Sequence, residues 1–350
     1  MTGNGVQGNA GSRENLPDTG ALAKVASFIE SAERFLLTCH VKPDGDAIGS
    51  LLGLGLALRD MGKDVIFFTE DPVPETLRFL PGSGLVIHDL PLPLGDGTAL
   101  IILDCNETKR IGRLGEALVE QASRRIILDH HLRGDAGLVK DEAGRVAVYL
   151  DSGVFATGAV VLWLLEYLAW PISPDVATNL YAAILSDTGC FCHGNTTVTA
   201  FQMAETLVRK GADLHTVSTR LYQSYPLRRQ QLLALVLKTL EVHGGGAVAF
   251  LHATPEMFRA CGAGEEDAED FVAYARCIDT VELAVFIKEV HGGQVSVSLR
   301  SKKEFDVARL ARVFGGGGHF HAAGFRMAGS VSEARQAILE YLADLEMVHV

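Results

Sequence analysis

No apolar run in this chain is long enough to cross a membrane before meeting a charge. The longest, at 159–165, ends at Glu166. The first twenty residues are rich in Gly, Asn and Ser and hold no hydrophobic signal core, so they read as a floppy tail and not as an export signal. Cysteine is scarce, at six residues, and none forms a Cys-x-x-Cys pair. That excludes a disulfide framework and the common zinc spacings. Cys39, Cys105 and Cys190, each near a polar strand end, are expected to be small buried thiols in a reducing cytoplasm. Basic charge is also short. Lys and Arg number 31 against 43 Asp and Glu, for a net charge of −12. Such a balance excludes a protein that coats long nucleic acid by neutralising phosphates. It leaves room for a small phosphorylated ligand, because an acid cluster that binds cations adds to the negative count and bound metals reverse the local sign.

What is present is a folded chain. Hydrophobic residues make up 48% of its 350 positions, enough for two domains that each bury a core. An amphipathic helix is predicted at 21–33, and short apolar strands at 35–39, 65–68, 100–103 and 126–128. Helical stretches alternate with them. The one at 47–61 is apolar on nearly every face and rich in Gly, and is expected to pack closely on a sheet. The pattern predicts an α/β fold with a parallel sheet covered by helices on both faces. Helices are then expected at 159–170, 174–185 and 198–210. The predicted division is a tail at 1–20, a first domain at 21–212, a helical linker at 213–243 broken at Pro226, and a smaller α/β domain at 244–350. In the last, 283–290 and 294–299 form a hairpin, and a helix at 307–313 leads into a glycine run. The acidic run at 265–270 reads as a solvated face.

The chemistry gathers at strand ends. His40, Asp104 and Asp129 each follow the apolar run of a different strand, and open parallel sheets bind ligands outside those carboxyl ends. His40-x-x-x-Asp44-x-Asp46 winds around Gly45, where its side chains either converge on a ligand or form an Asx-rich turn with an N-cap at Asp46. Asp129-His130-His131 adds oxygen and nitrogen donors, and Asp187 follows a predicted helix. His40, Asp44, Asp46, Asp104, His130 and Asp187 together offer four carboxylates and two imidazoles. Such a set fits two metals that share a bridging carboxylate, an arrangement suited to in-line displacement at phosphorus. Without cations, carboxylates so close could not all ionise. The run Gly315-Gly316-Gly317-Gly318-His319 reads either as a flexible loop or as an anion-binding concavity of backbone amides. Gly53-x-Gly55 lacks the third glycine of a dinucleotide fingerprint and lies within a helix.

Taken in order, His40-Val-Lys-Pro-Asp44-Gly-Asp46-Ala-Ile-Gly-Ser50, Asp104, Asp129-His130-His131 and Ser186-Asp187-Thr188 resemble the four motifs of the DHH phosphoesterase superfamily. Gly315 to His319, with Ala322-Ala323-Gly324, resembles the signature of its DHHA1 substrate-binding domain. The resemblance implies that His40, Asp44 and Asp104 hold one metal, usually manganese. Asp46, Asp104, His130 and Asp187 hold a second, with Asp104 as the bridge. Asp129 would orient the ligands. His131 would stand beside the scissile phosphate, where with Asp104 it forms the catalytic pair. Arg300, Gly316, Gly317, Gly318 and His319 would grip a substrate phosphate. Arg133 and His321 are further candidates for substrate contact. The implied activity is that of a cytoplasmic two-metal phosphodiesterase. It would cut short oligoribonucleotides to mononucleotides in a cleft between domains that excludes long duplexes, and would also dephosphorylate 3′-phosphoadenosine 5′-phosphate. Other readings stay open: hydrolysis of cyclic di-AMP or its linear product pApA, a RecJ-type single-strand exonuclease, a family II pyrophosphatase, or a nucleotide sensor without catalysis. Iron, cobalt or zinc would suit the donors as well as manganese. Two-domain members of the family often pair, which makes a homodimer an expectation.

Overall fold

A computed structural model describes residues 15–345 apart from Pro91, Arg133, Glu142 and His291. The candidate contact Arg133 and positions 1–14 of the expected tail therefore lie outside the described residues. The first helix starts two residues earlier than predicted. Helix α1 (Thr19–Glu30) is capped by Asp18, which accepts from the amides of Gly20 and Ala21, and the amide of Asn15 donates to Thr199 Oγ1 at 2.9 Å. The chain forms two compact units that divide between Ser224 and Tyr225.

In the first unit, β1 (Arg34–Thr38), α2 (Gly45–Asp60), β2 (Asp64–Phe68), β3 (Val86–Ile87) and β4 (Ala99–Leu103) come in order. They are followed by α3 (Thr108–Ile111), α4 (Gly115–Gln121), β5 (Arg124–Asp129), α5 (Ala136–Val139) and β6 (Val146–Leu150). The strands form one parallel sheet in the order β3-β2-β1-β4-β5-β6. Helices α6 (Thr157–Tyr167), α7 (Pro174–Asp187), α8 (Val198–Arg209) and α9 (Leu214–Tyr222) complete the unit. Alternate strand residues point to opposite faces. Phe35, Leu37, Ile101, Leu103, Ile126 and Leu128 pack on α1, α2, α6 and α7, whereas Leu36, Leu100, Ile102 and Ile127 pack on the short helices α3 to α5.

The glycines of α2 correct one expectation. A Cβ on Gly49 would lie 2.5 Å from Asn179 O, and one on Gly53 would lie 2.6 Å from Leu180 Cδ2, both on α7. Only Gly55 faces the sheet, where Phe67 leaves no room for a Cβ. The helix is thus glycine-rich chiefly for another helix. Cys39 and Cys105 are buried as expected, but Cys190 and Cys192 are exposed.

The second unit opens with α10 (Leu227–Leu237), then β7 (Glu241–His243), β8 (Val248–Ala253), α11 (Pro255–Cys261) and α12 (Val272–Arg276). The hairpin β9 (Leu283–Val290) and β10 (Gln294–Ser301) follows, then α13 (Val307–Val313), β11 (Gly317–His319), β12 (Ala322–Ala328) and α14 (Val331–Asp344). Its mixed sheet runs β11-β12-β10-β9-β8-β7, and only β8 and β9 pair in parallel. One face carries α13 and α14, the other α10, α11 and α12. Gly317–His319 of the glycine run form a strand at the sheet edge, with Gly315 and Gly316 in the connection before it. Gly316 and Gly318 are glycine because added Cβ atoms would strike the backbone at Gly324 and Ala322–Ala323, and Gly318 also needs its φ of +142°. No helix among the described residues is long and apolar enough to cross a membrane.

Candidate metal centre

In an open parallel sheet the ligand crevice lies where neighbouring strands send their chains to opposite faces. Here that point is between β1 and β4, since β1 leads to α2 on one face and β4 to α3 and α4 on the other. His40 follows β1, Asp104 follows β4, and Asp129 ends β5. Asp104 adopts a left-handed φ of +58°, which Asp accepts more readily than most side chains.

The start of α2 brings the next two donors. Asp44, not Asp46, is its N-cap, with Oδ1 accepting from the amides of Asp46 and Ala47 at 3.0 and 3.1 Å. Its other oxygen lies 4.0 Å from His40 Nε2, which in turn lies 3.4 Å from Asp104 Oδ2. On the far side, Asp104 Oδ1 is 3.5 Å from His130 Nε2. That nitrogen is 3.7 Å from both Asp46 Oδ2 and Asp187 Oδ2. Donor atoms of His40, Asp44 and Asp104 lie within 4.8 Å of one another, and so do those of Asp46, His130 and Asp187. The two oxygens of Asp104 therefore face two separate donor groups.

The donors fit divalent cations in chemistry as well as in number. Nδ1 of His40 donates to Val41 O at 2.8 Å and Nδ1 of His130 to Val154 O at 3.1 Å, so each ring turns Nε2 toward the carboxylates, the nitrogen whose lone pair would serve a cation. The electrostatics demand positive charge. Burial, then the charges of Asp46 and Asp44, push the Asp104 carboxyl well above its usual range. Burial with the charge of Asp46 lifts Asp187 to about 7. Burial also raises Asp46. Although burial acts to lower the His130 imidazolium, Asp46, Asp187 and Asp104 raise it to about 9. Protons here do what metal ions would do: they neutralise carboxylates that cannot all ionise together.

Asp129 stands apart from both groups. Its Oδ1 accepts from the amides of His130 and His131 at 2.8 and 3.2 Å and from His131 Nδ1 at 2.7 Å. Its Oδ2 accepts from Asn106 Nδ2. Burial acts to raise this carboxyl, but the bonds from His131 and Asn106 hold it below its ordinary value. Because His131 spends Nδ1 on Asp129, that nitrogen is no metal donor, although it is 3.5 Å from Asp104 Oδ1.

Three supporting residues escaped the sequence reading. The amides of Thr157 and Gly158, at the start of α6, donate to Asp46 Oδ2 and Oδ1 at 2.6 and 2.9 Å. Thr157 Oγ1 also donates to Asp104 Oδ1 at 2.9 Å. A helix N-terminus thus fixes one carboxylate while its first side chain fixes Asp104. The third is Asn106. The polar Thr157 just before the apolar run at 159–165 was the signal for such an N-terminus.

In the second unit Arg300 lies on β10, with Nη1 donating to Leu299 O at 3.1 Å. The amide of Gly316 already donates to Ala311 O at 2.9 Å, so it does not serve as an anion donor. Gly317 and Gly318 pair with Gly324 and Ala323 of β12. The backbone of His319 ends β11; its side chain lies outside the described set. His321 is engaged within the unit, its Nδ1 lying 3.0 Å from Ser301 Oγ.

Comparison with known proteins finds two family models. The DHH family N-terminal domain matches residues 34–184, and the DHHA1 domain matches 260–345. A bifunctional oligoribonuclease and PAP phosphatase NrnA of Thermus thermophilus is 32% identical over 337 residues, covering 96% of each chain. A cyclic-di-AMP phosphodiesterase GdpP of Bacillus subtilis is 28% identical across 90% of this chain but only 49% of its own length. Among solved structures, an exopolyphosphatase-related protein of Bacteroides fragilis superposes with a TM-score of 0.86 at 26% identity. That match covers 95% of this chain and all of the other.

Proposed function

The chain belongs to the DHH family of metal-dependent phosphoesterases, with a DHHA1 domain, and from that premise we propose that it is a two-manganese phosphodiesterase shortening oligoribonucleotides to mononucleotides. The observation that carries the two-metal reading is the pair of Asp104 oxygens, each turned to a different donor group. His40 and Asp44 would hold one ion together with Asp104, and Asp46, His130 and Asp187 would hold the other, with Asp104 contributing to both. When bound, two divalent ions supply Lewis-acid charge at phosphorus and lower the pKa of a water.

The chain's own residues do the rest. Thr157 and the α6 amides keep Asp104 and Asp46 in one orientation, so the donors do not reorganise during reaction. Asp129 holds His131 by Nδ1 and so fixes the orientation of the ring, in which His131 acts as a hydrogen-bond partner to a phosphate oxygen. Arg300 takes a terminal phosphate of the substrate by a charge-assisted fork. Dephosphorylation of 3′-phosphoadenosine 5′-phosphate is the second activity in this reading. Similarity over the full length of the Thermus thermophilus oligoribonuclease supports the substrate class.

A manganese-supplemented panel tests it: a 5′-phosphorylated diribonucleotide, a short RNA, 3′-phosphoadenosine 5′-phosphate, cyclic di-AMP and pyrophosphate. The expected kcat/KM is highest for the diribonucleotide and short RNA, measurable for 3′-phosphoadenosine 5′-phosphate and negligible for pyrophosphate. A preference for cyclic di-AMP would overturn the RNA reading, and hydrolysis of none would overturn catalysis itself.

A further inference from the structure

The acidic run at 265–270 is not merely solvated. Asp267 is buried; its Oδ2 accepts from Arg228 Nε at 2.8 Å and from the amide of Gly264 at 2.9 Å. The neighbouring guanidinium of Arg229 lies 4.5 Å over the Tyr225 ring and 4.9 Å over the Phe271 ring. It donates to the carbonyls of Asp267 at 2.7 Å and Glu269 at 2.9 Å. Two arginines of α10 thus clamp the segment, Arg228 through the Asp267 carboxylate and Arg229 through the carbonyls up to position 269. Asp270 follows with a left-handed φ of +60°. Its carbonyl, not its carboxylate, starts the turn into α12, accepting from Ala273 at 2.9 Å. Gly or Asn would serve that backbone at least as well. The carboxylate lies in water, 80% exposed, yet its Oδ1 is 3.9 Å from Arg300 Nη2.

We propose that Asp270 is a built-in counter-anion for Arg300, which an incoming phosphate must displace, and that it thereby raises the negative charge a ligand needs to be retained. The inference rests on the reading of Arg300 as a phosphate-binding residue. The clamp leaves the carboxylate close enough to compete and exposed enough to be displaced without burying a charge. Arg276, which ends α12, brings a second guanidinium that opposes the charge of Arg300, so the locality is electropositive once Asp270 is displaced. A ligand with a doubly charged terminal phosphate outcompetes one carboxylate; an uncharged nucleoside does not.

The test measures dissociation constants of adenosine 5′-monophosphate and adenosine on the manganese-loaded full chain by titration calorimetry. Asp270→Asn is expected to tighten the monophosphate about three-fold at low salt, with no change for adenosine, and the gain fades in about 0.5 M salt. Arg300→Gln is expected to weaken the monophosphate at least about ten-fold. In the Arg300→Gln background, Asp270→Asn then does nothing. Asp270→Gly, which also accepts the left-handed backbone, checks that the gain follows the charge. If Arg300→Gln weakens binding while Asp270→Asn weakens it or leaves it unchanged, the competition is overturned and the role of Arg300 stands. If Arg300→Gln changes nothing, the role of Arg300 falls and the counter-anion falls with it.

Discussion

Asp104 meets three demands that one carboxylate can combine: two oxygens turned to different donor groups, a left-handed backbone, and an acceptor for Thr157 Oγ1. Asp104→Asn preserves shape and the acceptor but presents one oxygen. The chain should stay folded, lose at least one of the two manganese ions of the proposed centre, and fall about a thousand-fold or more in kcat/KM. Metal analysis and turnover at near wild-type levels would sink the bridging role. The convergence of these side chains was legible because each ends an apolar strand or flanks a helix terminus, where carboxylates and imidazoles together have few structural uses. Thr157 and Asn106 were not. A hydroxyl or an amide is common in loops, and their partners lie 53 and 23 residues away. Asp267 was misread for a related reason: an acid in an acidic run looks solvated until the arginine that buries it, 39 positions distant, is in view.

Among the elements, α2 and α7 matter most to the site, because one begins with Asp44 and Asp46 and the other ends with Asp187. Gly45, Gly49 and Gly53, spaced four apart on one face of α2, let the two helices approach backbone to side chain. Gly49→Ala places a methyl 2.5 Å from Asn179 O and 2.9 Å from Ala183 Cβ. Denaturant unfolding should show a loss of about 1–3 kcal/mol. Manganese binding should weaken in parallel as Asp46 and Asp187 are pushed apart. Stability and affinity both unchanged would mean the helices have slack. The parallel sheet was legible from its fully buried strands, but β6, after a polar loop, and α14, with a mixed face, were not. The glycine run shows the limit most clearly: the same glycines suit a loop, an anion nest or a tight strand, and only pairing with β12 decides.

At the scale of the whole molecule, the acid excess becomes a dependence on pH and metal. Asp187 rises from 3.8 to about 7 in the folded chain, so its bound proton stabilises the fold at low pH and that contribution is lost as pH rises through 7. His130 rises from 6.5 to about 9, and its contribution is lost as pH climbs through that value. Both act in one direction, so the chelated protein should lose Tm from about pH 5 to about pH 9. Manganese needs the deprotonated donors, so its affinity should rise over the same interval, with protons released on binding. Thermal melts with chelator and with manganese, at matched pH, measure both trends. A chelated Tm that climbs over this interval would contradict the protonated, metal-free centre.

The strand order has a consequence in time. β1 pairs with β4, joining Phe35 to Ala99, so a chain emerging from its N-terminus holds His40 and Asp44 long before Asp104 can join them. Asp187 arrives later still. No cation can template this fold, because the donors converge only after the long-range contacts have formed. Manganese should therefore leave the refolding rate of the chelated chain unchanged and slow its unfolding, the signature of a ligand captured after the folding barrier has been crossed. Stopped-flow refolding with and without manganese reads that order directly, and a metal-accelerated folding limb would reverse it.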